Sequence, residues 1–160
     1  MISQSADYSL RAVLCLAAAQ PREPALTTHQ IAERANVPAG YLSKIMQALV
    51  RARMVTSQRG LNGGFSLAVA PDRLTLLDIV SVVEPSRRIV QCPLGRAEAA
   101  PNLCSLHRRL DAATAGVERM LRDTTIAQVL AESLGPPLCN HHHADAACSD
   151  PKAVNPGDAQ

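Results

Sequence analysis

Residues 54–67 restrict the fold of this chain more than any other segment, because two strand patterns flank a glycine-rich stretch. Residues 54–56 (MVT) and 65–67 (FSL) are β-prone runs, and SQRGLNGG lies between them. Glycine permits positive φ and close approach of two backbones, as a tight hairpin requires. A loop that cradles a nucleotide phosphate leads into a helix, whereas a strand pattern follows here. The segment therefore predicts a β-hairpin.

Two short helical patterns precede the hairpin. Thr27 and Gln30 have the spacing of a capping box at the start of the first pattern, and Pro38 stands near the start of the second. The second pattern carries apolar residues at helical spacing, namely Leu42, Ile45, Met46, Leu49 and Val50. Two such helices joined by a short turn predict a helix-turn-helix, and the hairpin after it predicts a wing. This combination favours DNA binding.

Polar residues on these elements are the candidate DNA contacts, since they can donate hydrogen bonds to base edges and phosphates. They are Thr28, Tyr41, Ser43, Lys44, Gln47 and Arg51 on the helices, and Arg59 and Asn62 on the hairpin. For the second helix alone, an ordinary solvated face explains the pattern equally well. The charge distribution favours a polyanion partner: residues 1–67 contain seven Lys or Arg and three acids, against nine and eleven in residues 68–160.

The rest of the chain also has mainly helical patterns. Cys15 lies in an apolar helical run near the N-terminus and is expected to be a buried structural thiol. Residues 74–83 predict a helix capped by Asp72 or Thr75, and Thr124 or Thr125 can cap a final helix. Between them, apolar residues alternate at spacings of four and three, as in a helix packed along a partner helix: Leu106, Leu110, Ala113, Val117 and Met120 or Leu121.

These patterns predict a mainly α fold, a winged helix-turn-helix domain with a long C-terminal dimerisation helix. We divide the chain into a DNA-binding domain (1–84), a sensing loop (85–105), the dimerisation and final helices (106–135) and a disordered tail (136–160). The tail contains Cys139, three consecutive histidines (141–143) and Cys148, which either capture a metal or form an uncommitted tail. With no long apolar run and no signal-like N-terminus, we expect a cytoplasmic protein with no membrane partner.

Cys92, Cys104 and His107 form the second chemically distinctive group. Five cysteines in a cytoplasmic chain favour metal binding or thiol chemistry over structural disulfides. Cys104 and His107 are one helical turn apart and can also pose as nucleophile and base. An enzyme is disfavoured, because no third orienting residue and no oxyanion-hole motif is evident and the winged head would be unexplained.

The chain resembles the Rrf-type bacterial winged-helix regulators, the group of IscR and NsrR. The resemblance covers about residues 1–135 and rests on DYSLRAVLCLA, IAERANVPAGYLSKIMQAL, SQRGLNGGFSLA and LTLLDIVSVVE, followed by the cysteine-containing loop. It implies a homodimer that binds a near-palindromic double-stranded operator, with recognition helices in major grooves and wings in minor grooves.

The resemblance also implies an iron-sulfur cluster, here 2Fe-2S. Cys92, Cys104 and His107 match a first cysteine, a last cysteine and a histidine ligand, whereas Glu98 stands where a middle cysteine is expected. The remaining oxygen ligand is either Glu98 or Asp7, which matches an N-terminal aspartate that reaches across the dimer in NsrR-like members. Other outcomes stay open: a Cys92–Cys104 thiol switch, a loop without a cofactor, and zinc bound by the same residues.

Overall fold

The structure is a computed structural model that describes residues 2–20, 22–60, 63–85, 88–92 and 103–132. Six helices and one two-stranded sheet lie within these ranges: α1 (Gln4–Ala19), α2 (Thr28–Arg34), α3 (Ala39–Arg51), β1 (Val55–Gln58), β2 (Gly64–Leu67), α4 (Leu76–Val83), α5 (Ser105–Asp123) and α6 (Ile126–Ala131). The predicted mainly α, winged helix-turn-helix architecture is confirmed. None of the helices in these ranges has both the length and the apolar character that a membrane span requires.

Helix α1 forms the centre of the core. Its N-terminus is capped by Ser3, whose hydroxyl accepts a hydrogen bond from the Ala6 backbone N–H at 3.2 Å. Its buried face includes Val13, Cys15 and Leu16, and it packs against α2, α3, α4, α6 and β2. Cys15 is fully buried, as predicted.

The helix-turn-helix is held by local signals that the sequence already contains. Thr27 and Gln30 form both hydrogen bonds of a capping box at the start of α2. Asn36 takes a left-handed conformation (φ 51°), which turns the chain between the helices. Pro38 is the N-cap of α3 and thus immediately precedes its first helical residue. Leu42, Ile45, Met46 and Leu49 are buried, so α3 keeps its opposite face free.

The hairpin pairs β1 with β2 in antiparallel register, from Val55 opposite Leu67 to Gln58 opposite Gly64. Each strand extends beyond the predicted residues towards the glycine-rich turn. Leu26 and Phe65 exchange backbone hydrogen bonds of 2.9 and 2.7 Å, which join the hairpin to the segment before α2. A Cβ on Gly64 would lie 2.5 Å from the Leu26 carbonyl oxygen, so this close approach requires glycine.

Helix α6 packs onto the winged head. Thr75 caps α4 and Thr125 caps α6, each through a capping box, and the two threonines form an isolated antiparallel bridge. The Ile126 N–H donates to the Leu74 carbonyl at 2.9 Å, and the Ile126 side chain is fully buried in the same core cluster as α1. The chain therefore leaves the head after α4, runs through α5, and returns to the head at α6.

Candidate metal centre and DNA-binding surface

One face of α3 presents the predicted recognition residues to solvent. Lys44, Gln47 and Arg51 are exposed, and the Tyr41 side chain is 55% exposed. The Tyr41 ring lies edge-on to Tyr8 of α1, with ring centroids 6.0 Å apart. This contact fixes the first turn of α3 against the head.

The remaining candidate contacts occupy different environments. The exposed Ser43 hydroxyl donates to the Ala39 carbonyl at 3.2 Å. Thr28 is half-buried at the start of α2, and Arg59 is exposed where β1 enters the glycine-rich turn. Asn62 lies outside the described residues. A Cβ on Gly63 would lie 2.6 Å from the Gln58 carbonyl oxygen, so the tight turn depends on this glycine.

Some basic side chains form ion pairs within the chain, whereas others are available to contact a ligand. Arg11 pairs with Asp7 at 2.6 Å, and Arg34 pairs with Glu23 at 2.7 Å. Within the described part of the chain, no salt bridge involves the exposed cations of α3 and the wing, Lys44, Arg51 and Arg59. A positive surface on a protruding helix and hairpin suits a phosphate backbone.

Cys92, Cys104 and His107 come together at the N-terminus of α5. The Nδ1 atom of His107 lies 3.5 Å from Cys92 Sγ and 3.1 Å from Cys104 Sγ. The three donor atoms all lie within 4.8 Å of one another, and all three residues are half-buried. Cys104 is the N-cap residue of α5 and His107 lies in its first turn, whereas Cys92 approaches from the segment after α4. Two thiols and an imidazole are a ligand set for soft or borderline metals.

The N-terminus of α5 also changes the acidity of Cys104. The backbone N–H of His107, followed by its imidazole, lowers the pKa of the Cys104 thiol to about 7. The thiolate is favoured here because the first turn of a helix presents free N–H groups. A thiolate is the form that binds metal and attacks oxidants or disulfides.

An arginine–aspartate pair, which the sequence reasoning missed, ties the segment before Cys92 to α5. The Arg88 guanidinium donates to Asp111 through Nε at 2.6 Å and Nη2 at 2.5 Å, and the Ile89 N–H donates to the same carboxylate at 3.0 Å. Arg88 lowers the pKa of Asp111 by hydrogen bonding. Asp111 is one turn after His107 on α5, whereas Arg88 lies 23 residues before Asp111, so no local sequence pattern indicates this pair.

The two predicted oxygen ligands do not join this group within the described part of one chain. Asp7 lies on α1 in its ion pair with Arg11, apart from the Cys92, Cys104 and His107 donors. Glu98 lies outside the described residues, as does the tail with its cysteines and histidines. Within the described residues of one chain, the site therefore consists of three donors.

The outer face of α5 is unusually apolar for a solvent-facing helix. Leu106, Leu110, Val117 and Met120 are each about half exposed, at 57, 48, 48 and 53%. Leu121 is instead buried against the head. Four large apolar side chains along one exposed helix face are typical of an interaction surface.

A helix-turn-helix with a free cationic recognition face and an adjoining wing defines the chain as a winged-helix DNA-binding protein. The family profile of Rrf2, described as an iron-dependent transcriptional regulator, matches residues 2–132. The chain therefore belongs to the Rrf2 family of transcriptional regulators, which confirms the resemblance.

Named relatives agree with this assignment. The chain is 30% identical over 121 residues to the HTH-type transcriptional regulator NsrR of Bacillus subtilis, covering 76% of each protein. It is 33% identical over 86 residues to NsrR of Halalkalibacterium halodurans, covering 54% of this chain and 58% of that one. A relative from Synechocystis is 40% identical over 85 residues, and the match spans 57% of its length.

Solved structures reproduce the fold. IscR of T. potens has a TM-score of 0.68 at 24% identity, over 82% of this chain and 86% of that one. CymR, the global cysteine regulator of B. subtilis, has a TM-score of 0.68 at 25% identity, over 82% and 96%. Both likenesses extend past the winged head, since they cover about four-fifths of the chain.

Proposed function

We propose that the protein is a homodimeric, operator-binding regulator whose DNA affinity depends on a cofactor held by Cys92, Cys104 and His107, and that this cofactor is an iron-sulfur cluster. The observation that carries the proposal is the convergence of three soft donors within 4.8 Å at the start of α5. The names of its NsrR and IscR relatives point to the same class of regulator.

DNA recognition is assigned to α3 and the wing. Tyr41, Lys44 and Gln47 lie on the exposed face that would enter a major groove, and Arg59 would reach phosphate or the flanking minor groove. Phosphate contacts set the affinity and base contacts select the operator. Two heads on one dimer then read two half-sites about one helical turn apart.

The dimer interface is assigned to the exposed apolar face of α5. Leu106, Leu110, Val117 and Met120 recur at helical spacing, so a second copy of the helix can bury all four in one antiparallel or crossed contact. Burying these side chains removes apolar surface from water, which favours association. Leu110→Glu and Val117→Glu place charges in this face and are expected to yield monomers that bind single half-sites weakly.

The donor chemistry of the site fits a cluster. Thiolates are the usual cluster ligands, and imidazole replaces them in known two-iron sites. A further oxygen ligand is Glu98, or Asp7 of the second protomer after it exchanges its Arg11 ion pair for the metal. When bound, the cluster would supply a centre that reacts with oxidants and nitric oxide. The chain supplies the ligands, which are half-buried.

Cys92 and Cys104 form a second candidate sensor without iron. Their sulfur atoms lie within 4.8 Å, so a disulfide needs only a small local movement. Hydrogen peroxide would accept two electrons and two protons from the two thiols, giving one disulfide and two molecules of water. The disulfide form should be lighter by two hydrogen atoms per chain, and Cys92→Ser should abolish this mass difference.

A change at the sensing site is proposed to reach DNA through α5. Cys104 is the N-cap residue of this helix and His107 lies in its first turn, and the opposite end of the helix joins α6 in the head. Oxidation, nitrosylation or cofactor loss would free the Cys92–His107 loop and shift the dimer helix. A small reorientation there changes the spacing of two heads that bind one rigid operator.

Two measurements on anaerobically purified protein test the proposal. Visible absorbance with iron and sulfide analysis should detect a cluster that is lost in Cys92→Ala and Cys104→Ala. Cys15→Ala, at a buried thiol outside the three-donor group, serves as the control. Colourless, iron-free wild-type protein would exclude the cluster.

DNA binding is tested separately by selecting duplexes from a random library. A regulator of this type enriches a near-palindrome and binds it with steep salt dependence. Recovery of no preferred sequence by either the loaded or the cofactor-free protein would exclude operator binding.

A further inference from the structure

The donor atoms of Cys92, Cys104 and His107 are arranged around one point. The His107 Nδ1 atom lies 3.5 Å from one sulfur and 3.1 Å from the other, and no pair of donors is farther apart than 4.8 Å. A tetrahedral zinc ion has Zn–S bonds of about 2.3 Å and Zn–N bonds of about 2.0 Å, which place sulfur and nitrogen about 3.5 Å apart and two sulfurs about 3.8 Å apart. The observed sulfur–nitrogen distances lie close to that edge length.

A two-iron cluster distributes its ligands over two metal atoms. A chain that holds one must therefore separate at least one of these donors from the other two. A single ion needs no such separation, since both sulfur atoms already lie within 3.5 Å of the same imidazole nitrogen.

Two separate sets of contacts position the donors, one for Cys92 and one for the two donors at the start of α5. Asp111 of α5 accepts hydrogen bonds from the Arg88 side chain and the Ile89 backbone, which fixes the segment leading to Cys92. Cys104 and His107 are fixed by the first turn of α5. Contacts within the chain therefore position the segments that carry all three donors, which lowers the cost of ordering them on binding.

We propose that the cluster-free protein binds one zinc ion through Cys92, Cys104 and His107, with the fourth coordination position open to water or an exchangeable ligand. Two thiolates and one imidazole select zinc over magnesium or calcium, and three protein ligands are typical of open zinc sites. Zinc and the cluster would then compete for the same residues. The inference rests on the proposed function only in assigning these residues as ligands.

Cobalt(II) is the probe, because it takes tetrahedral zinc sites and reports thiolate ligation by charge-transfer absorbance. Cluster-free, fully reduced, full-length protein is titrated anaerobically. We expect one cobalt ion per chain at this site, a tetrahedral spectrum, and displacement by one equivalent of zinc. Cys92→Ser should roughly halve the charge-transfer intensity per bound ion, and each loss of a ligand should weaken zinc binding by more than the ~10–100-fold typical of outer-shell substitutions.

The tail supplies the competing explanation, since Cys139, His141, His142, His143 and Cys148 can also bind cobalt. A full-length variant with both tail cysteines as serine and the three histidines as alanine removes it. The thiolate spectrum should survive in this variant. Its disappearance, or a spectrum insensitive to Cys92→Ser and Cys104→Ser, would overturn the inference.

His107→Cys separates ligand loss from misfolding. A third thiol in this position should keep the single-ion stoichiometry and raise the charge-transfer intensity, whereas His107→Ala should lose tight binding. Failure of both variants to alter the cobalt spectrum would overturn the assignment of His107. Iron, sulfide and operator binding are measured on separate samples, so a protein that carries a cluster yet binds no zinc refutes this inference alone.

Discussion

The replacement Ile126→Ala tests whether α6 is an integral part of the winged head. The Ile126 side chain is fully buried among residues of the head core. The substitution removes three carbon groups, which corresponds to about 2.4 kcal/mol of transfer free energy at ~0.8 kcal/mol each. The cavity left behind adds about 1 kcal/mol, so we expect a loss of about 3 kcal/mol in the free energy of unfolding, within the range for buried Ile→Ala changes.

Thermal unfolding followed by circular dichroism measures this loss. For a chain of this size, each kcal/mol lowers the melting temperature by about 2–4 °C, so the shift should be about 6–12 °C. The protein concentration must be constant, because the melting temperature of a dimer depends on it. Ala131→Ser, at an exposed position of the same helix, is the control and should change stability by less than about 0.5 kcal/mol.

A small effect would refute the reasoning. If Ile126→Ala destabilises the protein by less than about 1 kcal/mol, or if it melts α6 in a separate transition while the head keeps its melting temperature, then α6 is not part of the cooperative core. A single transition shifted by the expected amount would show that the head and the end of α5 unfold together.

Three further outcomes are expected. Lys44→Ala or Arg59→Ala should each reduce the slope of log K against log salt concentration for operator binding by about 0.9 for every phosphate that the variant no longer neutralises, or about 1.8 per dimer. Anisotropy titrations over a range of salt measure this slope. An unchanged slope excludes phosphate binding by that residue. Asp111→Asn should weaken cobalt binding about 10-fold in competition with a chelator while hardly changing the melting temperature, because its arginine pair is on the surface. In the metal-free protein, the alkylation rate of Cys104 should be half-maximal near pH 7. His107→Gln should shift this midpoint to higher pH, because the imidazole no longer favours the thiolate. A midpoint that does not move would exclude a contribution of the imidazole to the acidity of Cys104.

The winged head could be predicted from the sequence because its signals are local. The capping box at Thr27 and Gln30 needs only four consecutive residues, and the structure contains both of its hydrogen bonds. The glycines of the hairpin likewise mark a turn, and the 2.6 Å clash that a Cβ on Gly63 would meet at the Gln58 carbonyl oxygen explains why glycine is needed there. Each of these features is decided within a few residues of chain.

The position of α6 could not be predicted in the same way. Helical spacing indicates that the Ile126 side chain faces inward, but it does not identify the element against which this side chain packs. The same limit applies to the Arg88–Asp111 pair, which joins residues 23 apart. Cys104 and His107 were predictable as neighbours because they are one helical turn apart, whereas the approach of Cys92 to His107 was expected only from the family resemblance.

The return of α6 to the head determines how the proposed sensing site on α5 would affect DNA binding. At its C-terminal end α5 is fixed to the head, because the Leu76 N–H donates to the Thr124 carbonyl at 3.0 Å and Ile126 is buried just beyond. At its N-terminal end it carries Cys104 and His107, and α4 packs along it. A helix held in this way cannot swing freely, so a displacement at its first turn must move the packed head or the exposed apolar face. Under the proposed function, a local change in ligation at the start of α5 would therefore alter the geometry between the two heads of a dimer.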